Sequence, residues 1–268
     1  MLYTIYIGLL LLLSCSGGNE ESTVPELEET LVWSDDFNTD GTPDPSKWSF
    51  EIGNGCDKPA GCGWGNGESQ YYTNRLDNAK VEDGVLKITA KKESYQGASY
   101  TSARLISKDK YEFTYGKVEI RAKLPSGSGT WPAIWMLGAN IDEAGWPACG
   151  EIDIMEHWGH NPTLVSSATH TPACHGGCGS TKVGETTVSD YATAFHVYTL
   201  EWTEDTLRFS LDGSFLYAYK PDVKDSSNWP YNKPQFFILN IAMGGSWFDI
   251  DENFTESTME IDYIKVYQ

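Results

Sequence analysis

Lys117-Val118-Glu119-Ile120-Arg121-Ala122-Lys123-Leu124 alternates charged and apolar residues from end to end. Side chains of an extended strand point to opposite faces in turn. This stretch therefore describes a strand with a wet face of Lys117, Glu119, Arg121 and Lys123 and a dry face of Val118, Ile120, Ala122 and Leu124. The same period recurs outward along the chain. Leu86, Ile88 and Ala90 alternate with Lys87, Thr89 and Lys91, and the segment Met259 to Tyr267 alternates as well. Leu207, Phe209 and Leu211 run into Asp212-Gly213, a pair that favours a tight hairpin before Phe215 to Tyr219. No long window carries the spacing of an amphipathic helix, and Gly, Pro, Asn and Asp clusters interrupt the chain at short intervals. The expected fold is all-β: two packed antiparallel sheets, a β-sandwich or jelly roll.

Composition narrows the ligand class. With 268 residues, 26 glycines and 13% aromatics, the chain suits one all-β domain large enough to bury two sheet faces. Its 10 Trp and 15 Tyr must line either a core or a surface that binds flat apolar faces, and sugar rings are such ligands. The net charge of -19 argues against nucleic acid, whose binding needs Lys and Arg to neutralise phosphates, and disfavours a sulfated polysaccharide for the same reason. A monomer is expected.

Ile5 to Leu13 is an apolar run far short of the roughly 20 residues that span a bilayer. It ends in Leu12-Leu13-Ser14-Cys15 and resembles a bacterial lipoprotein signal peptide, although Met1 to Thr4 carries no basic residue. That resemblance implies a signal peptide over 1–14, cleavage before Cys15, lipid on Cys15, and export to the bacterial envelope, with the outer membrane as the expected site. An ordinary signal peptide and free secretion is the alternative. The acidic stretch 15–30 reads as a tether, which leaves 31–268 for the domain. Without Cys15, five cysteines remain in an oxidising context, so at least one is free. Short loops favour Cys56 with Cys62 and Cys174 with Cys178, leaving Cys149 as a buried apolar side chain. Zinc at Cys174-His175-Gly176-Gly177-Cys178 lacks the second ligand pair that tetrahedral sites need.

The stretch Glu151-Ile152-Asp153-Ile154-Met155-Glu156 carries the chemistry. In a regular strand Glu151 and Asp153 share a face and Glu156 points the other way; one extra residue taken up as a β-bulge near Met155 returns Glu156 to their side. Three like charges in one sheet row cost stability and have no structural use there. Retaining glycosidases, in contrast, need two carboxyl groups about 5–5.5 Å apart, one as nucleophile and one as acid/base. Alternate residues of a strand lie roughly 6.5–7 Å apart, which leaves the middle carboxylate to tune its neighbours.

This stretch, with Trp131-Pro-Ala-Ile-Trp135-Met-Leu-Gly before it, resembles glycoside hydrolase family 16 in the bulged form of the laminarinases. The resemblance also takes in Trp33-Ser-Asp-Asp-Phe37, Gly63-Trp-Gly-Asn-Gly-Glu-Ser-Gln-Tyr-Tyr-Thr73, Ser102-Ala-Arg104-Leu, Tyr115-Gly-Lys-Val-Glu119, Leu239-Asn-Ile-Ala-Met-Gly-Gly-Ser-Trp247 and Asp262-Tyr-Ile-Lys-Val-Tyr267. It implies a jelly roll with a cleft on its concave face, Glu151 as nucleophile, Glu156 as acid/base and Asp153 as the assisting carboxylate. His170 would line the same face, and Asn66, Glu68, Arg104, Trp131, Trp135 and Asn240 would shape the cleft, with Trp247 closing it. No cofactor is implied for catalysis. Many members carry a structural calcium, for which Asp36, Gly84 and Asp262 are the matching candidates.

The resemblance implies endo-acting hydrolysis of β-1,3-glucan, with mixed β-1,3/1,4-glucan as a further substrate. A galactan hydrolase, a transglycosylase and a non-catalytic glucan-binding sandwich stay open as alternatives, the last opposed by the presence of both glutamates.

Overall fold

The computed structural model describes residues 29–176, 183–246 and 248–268. Its strands in chain order are β1 (Leu31–Asp35), β2 (Ser49–Phe50), β3 (Gln70–Tyr72), β4 (Ala79–Glu82), β5 (Val85–Tyr95), β6 (Ala98–Ser102), β7 (Arg104–Ile106), β8 (Gly116–Lys123), β9 (Thr130–Gly138), β10 (Glu151–His157), β11 (Leu164–His170), β12 (Val183–Thr187), β13 (His196–Trp202), β14 (Leu207–Leu211), β15 (Ser214–Tyr219), β16 (Gln235–Met243) and β17 (Glu256–Tyr267). One short α-helix, α1 (Ile141–Ala144), lies between β9 and β10. The two-sheet expectation is met among the described residues. One sheet has ten strands along the path β15-β14-β13-β8-β17-β5-β6-β3, with β1 on β17 and β4 on β5; the other has seven, in the order β12-β11-β10-β9-β16-β7-β2. The antiparallel rule has one exception, the parallel pair β3 and β6.

The alternation read from the sequence decides which side chains meet between the sheets. Val118, Ile120 and Ala122 of β8 are fully buried with Leu86, Ile88 and Ala90 of β5 and with Met259, Ile261, Ile264 and Val266 of β17. The facing sheet contributes Ile134 and Met136 from β9, Ile152, Ile154 and Met155 from β10, and Phe237, Leu239 and Ile241 from β16. On the wet side of β8, Lys123 pairs with Glu260 at 3.0 Å and Arg121 with Asp262 at 2.5 Å. Such surface pairs contribute little stability, and their use is to solvate an outer sheet face. Asp212 and Gly213 both take positive φ (48° and 75°), the twist-matched two-residue turn expected between β14 and β15.

The domain's pairing begins one residue before the expected boundary: Thr30 and Gln268 exchange two 2.9 Å backbone hydrogen bonds. The expected signal segment 1–14, Cys15 and most of the expected tether lie outside the described residues. Cys56 and Cys62 form a disulfide, and Cys149 is a buried free thiol, both as expected. Cys174 is disulfide-bonded; Cys178, its expected partner, lies outside the described residues.

Candidate active site

Strand β10 brings the three acids together through the bulge. Asp153 faces Ala168 on β11 and Glu156 faces Ser166, so three steps along β10 match two along β11. The same slip appears against β9, where Asp153 pairs with Trp135, Met155 with Ile134 and Glu156 with Ala133. Ile154 and Met155 are both turned into the core, which is where the extra residue goes. Core burial of two successive apolar side chains is what turns Glu156 back to the side of Glu151 and Asp153. The backbone just before the cluster is equally constrained. Gly150 has φ +79°, and a Cβ there would lie 2.8 Å from Pro230 Cγ and 3.1 Å from Tyr231 Cε1. The buried Tyr231 hydroxyl reaches the carbonyls of both Glu151 (3.2 Å) and His170 (2.9 Å), tying the start of β10 to the end of β11.

Sheet register then places the remaining candidates in rows. Glu151 lies opposite His170 on β11. Glu156 lies in line with Ala133 on β9, Asn240 on β16 and Arg104 on β7. His170 Nε2 is 3.1 Å from Asp153 Oδ2 and 3.6 Å from Glu151 Oε1. The Gly176 amide donates to His170 Nδ1 at 3.3 Å, which assigns the ring proton to Nε2, facing the acids. Trp146 Nε1 donates to Glu151 Oε2 at 2.9 Å, and Trp131 Nε1 donates to Glu156 Oε1 at 3.0 Å.

Burial is the largest cause raising all three carboxyls, each to about 8. Asp153's charge adds to the rise at both glutamates; His170 opposes it at both, Trp146 at Glu151 and Trp131 at Glu156. Three carboxyls this close and this dry share protons, so near neutrality the cluster offers both an acid and a base. Glu151, Asp153 and His170 also present ligand atoms within 4.8 Å of one another, the kind of donor set a metal ion can use. Trp146 already bonds the Glu151 carboxylate and the His170 ring lies 3.1 Å from Asp153, and the arrangement reads as a proton-sharing cluster.

A buried polar chain extends from the cluster toward the other rim. Trp135 Nε1 donates to Asn240 Oδ1 (2.7 Å), Asn240 Nδ2 to the Tyr72 hydroxyl (3.1 Å), and that hydroxyl to Glu68 Oε2 (3.4 Å). Glu68 also accepts from Gln70 (2.6 Å) and Asn66 (3.0 Å). Burial, the largest cause, raises the Glu68 carboxyl against those donors. Arg104 sits between two indoles, its guanidinium 4.7 Å from the Trp64 ring and 4.9 Å from Trp135, and pairs with Glu51 at 2.6 Å. Asn66, Glu68, Arg104, Trp131, Trp135, His170 and Asn240 thus all join one connected surface with the acids. Trp247 lies outside the described residues.

Sequence reasoning passed over several members. Trp146 and Tyr231 touch Glu151 from loops, and Trp158, His160 and Phe248 build an aromatic patch beside Trp131, with ring centroids 5.1 Å (Trp131 to Trp158) and 4.6 Å (His160 to Phe248) apart. The only available signal was the density of Trp and His near the acids.

The calcium candidates meet a different outcome. Asp262 is the bulged residue of β17, Gly84 lies in the turn joining β4 to β5, and Asp36 directly follows β1, so topology gathers them at one corner of the ten-stranded sheet. Asp262 is bound by Arg121, however, and Asp36 lies 3.7 Å from Lys265. As placed, each carboxylate faces a cation at the surface, and a calcium ion there would have to displace Arg121 and Lys265.

Comparison with known proteins agrees with this geometry. Residues 66–265 match the family described as Glycosyl hydrolases family 16. The chain is 43% identical to the beta-glucanase of Rhodothermus marinus over 97% of this chain and 92% of that one. It superposes on the laminarinase of Flavobacterium sp. UMI-01 with a TM-score of 0.82 at 45% identity, covering 89% of this chain and 100% of that one. It also superposes on SCLam, a non-specific endo-beta-1,3(4)-glucanase, with a TM-score of 0.83 at 40% identity, covering 90% and 92%. A jelly roll whose bulged strand gathers two glutamates and an aspartate on one face, matched over three quarters of its length by one family, has one assignment: this chain belongs to glycosyl hydrolase family 16 and is a glycoside hydrolase.

Proposed function

We propose that this enzyme cleaves internal β-1,3 bonds of glucan with retention of anomeric configuration, and that it also accepts mixed β-1,3/1,4-glucan. The observation that carries the reading is the bulge at Ile154 and Met155, which puts Glu156 on the same face as Glu151 and Asp153. The relatives' names, beta-glucanase, laminarinase and endo-beta-1,3(4)-glucanase, support the substrate class.

Glu151 attacks the anomeric carbon in its ionised form, which the Trp146 N–H favours against the effect of burial, while Glu156 gives its proton to the departing oxygen. The glycosyl–oxygen bond breaks, a glycosyl–carboxylate bond forms, and Glu156 is left ionised. It then takes a proton from water, which attacks the same carbon and releases Glu151. Asp153, whose buried carboxyl keeps its proton near neutrality, limits the charge that builds between the glutamates. Trp131 and Trp135 offer half-exposed rings beside the acids for sugar faces. No cofactor takes part in these steps.

Reducing-sugar release from laminarin, lichenan, curdlan and agarose tests the substrate. Glu151→Gln should lower turnover on the order of 10⁴-fold or more with glucan binding retained. Wild-type activity of that variant on every glucan would refute the reading. Longer oligosaccharides formed in excess over new reducing ends would replace hydrolysis by transfer.

We also propose that the chain is exported and anchored through lipid on Cys15, as a monomer. The apolar run Ile5 to Leu13, ending in Leu12-Leu13-Ser14-Cys15, supports the export and the anchor. Cys15→Ser should move the protein from the membrane to the soluble fraction; unchanged fractionation removes the anchor.

A further inference from the structure

Two groups other than acids face the Glu151 carboxylate: the Trp146 N–H at Oε2 and the His170 ring near Oε1. Neither is held by its own element alone. Trp146 stands on the loop that follows α1, next to Gly145 at φ +70°, and is half exposed. An exposed indole on such a loop has several rotamers open to it, and the bond to Glu151 needs one that aims Nε1 at the carboxylate.

The segment just after β11 selects that rotamer. Thr171 and Cys174 exchange backbone hydrogen bonds of 2.8 and 3.0 Å, and the Thr171 hydroxyl accepts from the Cys174 amide at 3.2 Å. His175 Nδ1 lies 3.1 Å from the Thr171 carbonyl, which fixes the imidazole plane. That ring meets Trp146 edge to face, with centroids 5.0 Å apart and planes at 83°. One residue further on, the Gly176 amide is the group that orients His170. A single tight turn thus sets both groups beside the carboxylate of Glu151.

We propose that His175 is a positioning residue for the nucleophile, acting through Trp146. Its ring holds the indole with Nε1 on Glu151 Oε2, leaving the other carboxylate oxygen to attack the sugar. The edge-to-face contact supplies the preference, because it opposes the ring positive edge of one partner to the negative face of the other. This inference rests on Glu151 as nucleophile.

Steady-state kinetics of the full chain on laminarin test it. His175→Ala should lower kcat about tenfold, as expected when a reacting group is misplaced by a fraction of an ångström, with KM within about twofold. His175→Phe keeps the ring edge but loses the Nδ1 bond to Thr171, and should restore part of kcat. In a Trp146→Phe background, which already lacks the N–H, His175→Ala should add no further loss. An unchanged kcat in His175→Ala, a failure of His175→Phe to restore it, or an equal loss in the Trp146→Phe background would each overturn the proposal. So would a rise in KM with kcat intact, since that marks a sugar contact. Glu151→Gln is measured alongside. Its inactivity combined with a wild-type His175→Ala removes this inference alone, whereas an active Glu151→Gln removes the nucleophile assignment itself.

Discussion

Trp131 Nε1 donates a 3.0 Å hydrogen bond to Glu156 Oε1, although the cross-strand neighbour of Glu156 is Ala133, two residues along β9. The indole therefore leans along its strand to reach the acid, made possible by the small Ala133 between them. The bond favours the ionised form of Glu156 and opposes the rise caused by burial. Trp131→Phe removes the donor and keeps a ring. Its expected effect is a kcat/KM lower by about 10- to 100-fold, with the basic limb of the pH–rate profile moved to higher pH because Glu156 holds its proton longer. A basic limb that stays in place would show that Glu156 is not the group titrating there.

The separate roles of the two glutamates can be read from product stereochemistry. With an activated aryl β-glucoside, Glu151→Ala leaves a gap at the attacking face, and azide should restore turnover to give the α-glycosyl azide. Glu156→Ala still forms the glycosyl–enzyme, so azide should give the β-glycosyl azide. NMR of the products distinguishes them, and the opposite pairing would exchange the roles.

Asp153 raises both glutamates through its charge. Asp153→Asn removes that charge, so Glu156 should lose its proton at lower pH and the basic limb should move toward acid. We expect kcat/KM to fall by about 10- to 100-fold. The test is a pH series on laminarin; a limb that moved toward base would contradict the charge argument.

Stability should report the same cluster. Carboxyls raised above their unfolded values keep protons in the folded state that the unfolded chain has already released. The cluster's contribution is therefore most favourable below about pH 4 and becomes less so as pH rises toward about 8. Glu151→Gln cannot ionise, and its melting temperature should exceed that of the wild type by roughly 2–4 °C at pH 8, with little difference at pH 4. A gain that was the same at both pH values would place its cause outside ionisation.

Much of this enzyme is legible in its sequence because strands write their faces locally. The alternation of Val118, Ile120 and Ala122 with Glu119 and Arg121 needs no neighbour to be read, and neither does the Asp212-Gly213 turn. The spacing of Glu151, Asp153 and Glu156 even demands its own bulge, since a regular strand would bury Glu156 among apolar side chains. Tertiary structure decided who serves those acids. Trp146 and His175 reach Glu151's surroundings from loops whose paths no periodicity records. Glu68 joins Trp135 only because Tyr72 and Asn240 stand between them, residues 168 apart in sequence. The order β11-β10-β9-β16-β7 makes those neighbours, and a strand's alternation says which way a side chain faces without saying which strand lies beside it. The corner of Asp36 and Asp262 marks the same limit: the sequence offers both acids, and only the structure sets Arg121 and Lys265 beside them.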